Sequence, residues 1–111
     1  MNSIFSLIKL IEKRPAMYLG RNSISCLKSF LDGWYLRDPD NVIDADIMND
    51  FQSWVEKKYD VSGNQSWCDI ILFYSQDEGT ALTNFFRHFD QWAKESEYSN
   101  PSSTGVASML N

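Results

Sequence analysis

The chain has 111 residues, a formal net charge of −5, and 43% hydrophobic and 14% aromatic residues. That is enough apolar content for one core without staples, and ten Lys/Arg among fifteen acids exclude the basic face that a nucleic acid would need. No apolar run is long enough to span a bilayer, and the opening stretch MNSIFSLIKLIEK lacks the basic start and small-residue cleavage site of a signal peptide, so a cytoplasmic protein is expected.

In chain order, Ile4, Leu7, Ile8 and Ile11 recur at helical spacing, with Ser3 as N-cap. Pro15 stops this helix, because a proline disfavours helical geometry at the preceding Arg14. The connector KRPAMYLG, residues 13–20, is too apolar for a free loop. At least two of Met17, Tyr18 and Leu19 are expected to insert between helices, with Gly20 supplying the unrestricted φ of the next turn. Arg14 and Arg21 flank this plug.

Ser23 can cap a second helix with the face Ile24, Leu27, Phe30, Leu31, Trp34 and Tyr35, broken by RDPDN. A third is expected from about Asp44, with the stripe Ile47, Phe51, Trp54 and Val55, and Lys57 and Lys58 near its end suit the helix dipole. SGN at 62–64 closes that unit. Ser66 and Asp69 have capping-box spacing ahead of CDIILFY, which reads as helix, although a short strand has the same apolar run. Ser75 and Glu78 form a second capping box, opening a longer helix with the face Leu82, Phe85, Phe86, Phe89, Trp92 and Ala93. The expected architecture is all-α: a single compact domain of about five main helices over residues 1–96, with a polar tail at 97–111 that packs on the domain if Val106, Met109 and Leu110 find a site.

Little in the chain suggests catalysis. Its single histidine, His88, lies between apolar residues with no nucleophile or orienting carboxylate at a readable spacing, and reads as a surface or boundary residue. Cys26 and Cys68 form no metal-ligand cluster and read as buried thiols. No Walker loop, dinucleotide fingerprint or nucleophile elbow is present. No cofactor, metal or catalytic residue is therefore expected.

The one regional bias is acidic. Asp38, Asp40, Asp44, Asp46 and Asp50 fall in one stretch without a base. The plain reading is a solvated loop and helix start; the functional reading is an exposed patch that meets a basic partner. Asp60, Asp69, Asp77 and Glu78 would extend it if the later helices lie side by side. Asp77 and Glu78 also suit a helix N-terminus without any further role.

KRPAMYLG is similar to an eight-residue segment of the DNA gyrase B subunit, but the nucleotide-binding motifs of that ATPase are absent, and the match carries no function. A broader likeness runs over roughly residues 8–92. RPAMYLG, then SISCLKSFLDGWYL, FQSWVEKKYD and SWCDIILFYSQDEGTALTNFFRHFDQW, in this order and spacing, resemble small bacterial immunity proteins. These are encoded beside polymorphic toxins of the contact-dependent growth inhibition and Rhs kinds. Gly is commoner in such proteins where Ala16 stands here. The resemblance implies a non-enzymatic inhibitor, a monomer in a 1:1 complex with the toxic C-terminal domain of an effector. That domain is expected to be a basic nuclease, a ribonuclease being the expected kind, with its active site occluded. The resemblance carries over no contact residues. The alternative is a small helical enzyme or regulatory domain with an aromatic-lined pocket, which would place His88 beside a carboxylate such as Asp90 or Asp69.

Overall fold

The computed structural model describes residues 2–98. Six α-helices follow one another: α1 (Ile4–Lys13), α2 (Pro15–Leu19), α3 (Ile24–Arg37), α4 (Ile47–Tyr59), α5 (Trp67–Ser75) and α6 (Glu78–Glu95), with a 3-10 turn at Pro39–Asn41. No strand occurs among the described residues, and CDIILFY is helical. The domain is all-α and compact, with five long helices and the short α2 in addition.

Three of the expected caps form. The side chains of Ser3, Ser23 and Ser66 accept the amides of Ser6, Cys26 and Asp69 at 3.1, 3.1 and 3.2 Å. The Ser75–Glu78 box does not. Ser75 closes α5 and accepts the Asn84 amide, while Asp77 caps α6 by accepting the Thr80 N–H at 2.8 Å. Between them Gln76 (φ 78, ψ −44) sits in a tight turn with the Asp77 N–H bonded to the Ser75 carbonyl. This is a γ-turn, a strained geometry for a residue with a Cβ. The third long helix begins at Ile47 rather than Asp44 because Asp44 turns inward.

Pro15 ends α1 and starts α2, where its fixed φ and missing N–H suit the first helical position. The connector is thus a single helical turn, closed by Gly20 at φ 80. Tyr18 and Leu19 pack on the core, whereas Met17 is exposed.

Phe51 of α4 is fully buried at the centre. Its ring meets Phe85, Phe89, Trp67 and Trp92 edge-on, at centroid distances of 5.4, 5.5, 6.0 and 6.2 Å. Burial of such a side chain contributes about 1.5–3 kcal/mol, and edge-to-face pairs add to it. Every expected apolar residue of α6 is buried, as are Ile4, Leu7, Ile8 and Ile11 of α1. α4 and α5 run in the same direction. The Trp67 N–H donates to Gln52 Oε1 at 2.6 Å, and seven residues further along both helices Tyr59 stacks on Tyr74. The segment 60–66 therefore runs back along the helices it joins. Tyr98, within the expected tail, packs on Phe5 and Trp92; the rest of that tail, 99–111, lies outside the described residues.

Candidate functional site: an acid-rimmed groove

Of the nine acids singled out in the sequence, Asp60 is exposed at the end of α4 and the other eight separate into two groups. Asp44 is buried, which corrects its expected exposure. The Ile4 N–H donates to Asp44 Oδ1 at 2.7 Å, and the Phe5 N–H and Ser3 hydroxyl donate to Oδ2 at 3.0 and 2.8 Å. The Tyr98 hydroxyl adds a longer bond of 3.3 Å. Two of these groups are free N–H donors at the start of α1, so Asp44 is a cap supplied from a distant part of the chain. Burial, and then the Asp44 carboxylate, push the Tyr98 hydroxyl up to about 12.

Glu78 plays the same part for α3. Its Oε1 accepts the Ser25 N–H at 2.9 Å and the Ser23 hydroxyl at 2.7 Å, and its Oε2 accepts the Ser25 hydroxyl at 2.8 Å. The Ser25 N–H, with the two hydroxyls, holds its carboxyl below the usual glutamate range. Asp77 is held down likewise by the Thr80 N–H. Asp44, Asp77 and Glu78 thus have their oxygens engaged with helix N-termini. Asp40, Asp46, Asp50 and Asp69 are exposed, and Asp38 is half-exposed with the Asn41 amide on both oxygens at 3.0 Å.

Four of the five acids from 38 to 50 therefore lie at or near the surface, and one of them, Asp46, lines an open hollow. This groove, of about 590 Å³, lies where the second half of α3 faces the first half of α4. Its floor is Ile4, Leu31 and Trp67, and its walls include Tyr35, Leu36 and Met48. Asp32 and Asp46 stand in its lining. Leu36 is 73% exposed, and Ile43, in the turn before α4, is 62% exposed. An isolated exposed leucine needs no explanation, but one in the wall of an open hollow, like Leu36, does. Sequence reasoning missed Leu36 and Ile43 because it sorted apolar residues by helical face, and both fall in or next to the break between helices.

Asp69, Asp77 and Glu78 are not drawn into this surface; none of them lines the groove. On α5 a second exposed patch forms, of Phe73 and Tyr74, continued inward by Tyr59.

His88 is buried, which corrects its expected surface or boundary position. Its Nε2 meets the Tyr59 hydroxyl at 2.7 Å, its ring packs on Trp54, and its Nδ1 is buried without a hydrogen-bond partner. Burial, with Lys58 and Arg87 nearby, depresses it to about 4, so it is neutral at pH 7. Neither carboxylate named for it is its partner: Asp90 pairs with Lys9 at 2.6 Å, and Asp69 is exposed at the start of α5.

The two cysteines also differ. Cys68 is buried, and burial pushes its thiol up to about 11. Cys26, expected to be buried, is half-exposed in the first turn of α3. Arg21 Nε lies 3.5 Å from its sulfur and holds the thiol below its ordinary value. Among the described residues, no group of His, Cys, Asp or Glu is arranged to hold a metal ion, and no helix is long and apolar enough to cross a membrane.

No family model matches this chain, and no curated protein or solved structure matches it either.

Proposed function

We propose that this chain is an immunity protein: it binds the toxic domain of a polymorphic effector in the cytoplasm and occludes its basic active site. The reading joins the block-wise resemblance over residues 8–92 to the acidity of the chain. The observation that carries it is the groove between α3 and α4, where Leu36 stands uncovered and the Asp46 carboxylate lies exposed beside apolar side chains. Exposed apolar surface beside an unpaired charge is a chemistry that protein interfaces use. The apolar part supplies affinity, and the charge speeds capture of an oppositely charged partner. A nuclease that binds phosphate backbones has the complementary basic cleft.

The competing reading, a small enzyme or ligand-binding domain, asks for an aromatic-lined cavity. The aromatic interior here is filled by mutual contacts of Phe51, Trp67, Phe85, Phe89 and Trp92, and His88 sits against Tyr59 and Trp54. These contacts favour the binding module.

The test is co-expression with the toxic C-terminal domain encoded next to this chain. Protection of growth and a 1:1 complex by light scattering are the expected results. A domain that kills equally well in the presence of this chain, with no complex formed, overturns the proposal.

A further inference from the structure

We infer that the groove between α3 and α4 receives an arginine, together with an apolar neighbour, from the basic protein that this chain binds. The inference rests on the immunity reading and adds the chemistry of the contact. The groove joins apolar side chains, with Leu36 largely solvated and Tyr35 exposed above Leu31, Met48 and Trp67, to the polar Lys28, Asp32, Asp46, Asn49, Gln52 and Ser66. It is wide and open, unlike the enclosed pocket of a small metabolite.

Most polar groups of its lining are already engaged. The Gln52 amide donates to Glu56 and to the Gln65 carbonyl, and its oxygen accepts the Trp67 N–H. The Ser66 hydroxyl oxygen caps α5, and Asp32 holds Lys28 at 2.6 Å. Asp46 differs. It occupies the N-cap position of α4, where an aspartate ordinarily accepts an amide from its own helix, yet its side chain makes no such bond. Its carboxylate is exposed in the groove lining and left for a visitor.

A visitor that satisfies both the apolar wall and this carboxylate needs a long aliphatic stem and a cationic head. Arginine fits better than lysine. Its planar head pairs with a carboxylate through two parallel hydrogen bonds, stacks on a ring such as Tyr35, and loses less hydration than an ammonium group. The charge of the lining favours the same partner and disfavours a phosphate backbone: with Lys28 paired to Asp32, the Asp46 carboxylate is left as an unpaired negative charge in the groove.

The test measures affinity of the neighbouring toxic domain for the wild-type chain and for Leu36→Ala, Asp46→Asn and Phe73→Ala, by calorimetry at low and high salt. All three side chains are exposed, and thermal melts confirm that each variant is folded. Leu36→Ala is expected to weaken binding about tenfold or more at both salts, and Asp46→Asn about tenfold, mostly at low salt. Phe73→Ala is expected to bind as wild type. One arginine of the domain, changed to lysine, should reproduce the Asp46→Asn loss and add nothing to it in the double variant. A wild-type chain that does not bind the domain overturns the immunity reading and this inference with it. A wild type that binds, with Leu36→Ala and Asp46→Asn unchanged or with Phe73→Ala alone impaired, overturns the groove and leaves the immunity reading standing. Self-association of the free chain that Leu36→Ala abolishes would assign the groove to a second copy and overturn the inference as well.

Discussion

Asp44 lies forty residues from Ile4 in sequence, yet its Oδ1 accepts the Ile4 N–H at 2.7 Å. The carboxylate thereby closes the start of α1 and pins the acid-bearing turn between α3 and α4 onto that helix. The Ile43 N–H reinforces the junction by donating to the Asn2 carbonyl at 2.9 Å.

Replacing Asp44 with Ala leaves two amides and a buried serine hydroxyl short of an acceptor. The expected loss is about 2–3 kcal/mol, above that of an ordinary exposed cap because the site is buried. Urea denaturation of the variant measures it, and a midpoint shift equivalent to less than half of this would show that water substitutes for the carboxylate.

His88 gives the protein an acid-sensitive element. Its folded value is depressed to about 4 from an ordinary 6.5, so between these two the unfolded chain binds more protons than the folded one. Its contribution is complete above pH 6.5 and is lost as pH falls toward 4. It amounts to something on the order of 2 kcal/mol once solvent screening is allowed for. Glu78 and Asp77, held low, also lose stabilisation in acid, so the informative quantity is the difference between wild type and His88→Gln. Their stability curves should diverge with a pH-dependent gap across that window; parallel curves would rule the element out.

The two thiols should react at very different rates. With iodoacetamide near neutral pH, mass spectrometry is expected to find Cys26 alkylated well before Cys68, because thiolate fraction and access both favour it. Arg21→Ala should slow Cys26 without exposing Cys68. Equal rates at both positions would contradict the burial of Cys68.

Two turns make opposite predictions. Gly20 stands at φ 80, and a Cβ there would meet no neighbouring atom, so Gly20→Ala encounters only backbone strain and should lose about 1 kcal/mol. Gln76 stands at φ 78, so Gln76→Gly relieves strain there and should gain a comparable amount, about 0.5–1 kcal/mol. Thermal melts of both decide the matter: a Gly20→Ala variant as stable as wild type, or a destabilised Gln76→Gly, would contradict the turn geometry.

Local chemistry was legible in the sequence wherever both partners lie within a few residues. Ser3, Ser23 and Ser66 cap amides three positions away, and the apolar stripes of α1 and α6 needed only a helical period. Ser75 failed because two good capping residues stand two positions apart, and only the γ-turn at Gln76 decides between them. Asp44 and Glu78 were seen as acids but not as caps, since the amides they hold belong to helices some forty to fifty residues earlier. His88 was misplaced for the same reason: Tyr59 and Trp54, which cover it, come from another helix. The groove was invisible because Leu36 and Asp46 come to line one hollow only in the folded chain.

The ring of Tyr98 lies 4.9 Å from that of Phe5, and its hydroxyl reaches the carboxylate that caps α1. This arrangement bears on the order in which the molecule is made. A ten-residue helix is marginal in water by itself, and beyond its own Ser3 cap α1 gains the Asp44 carboxylate only when residue 44 has emerged and the Tyr98 ring only when residue 98 has. During synthesis the first helix therefore gains its last contacts only when the end of the described residues has emerged.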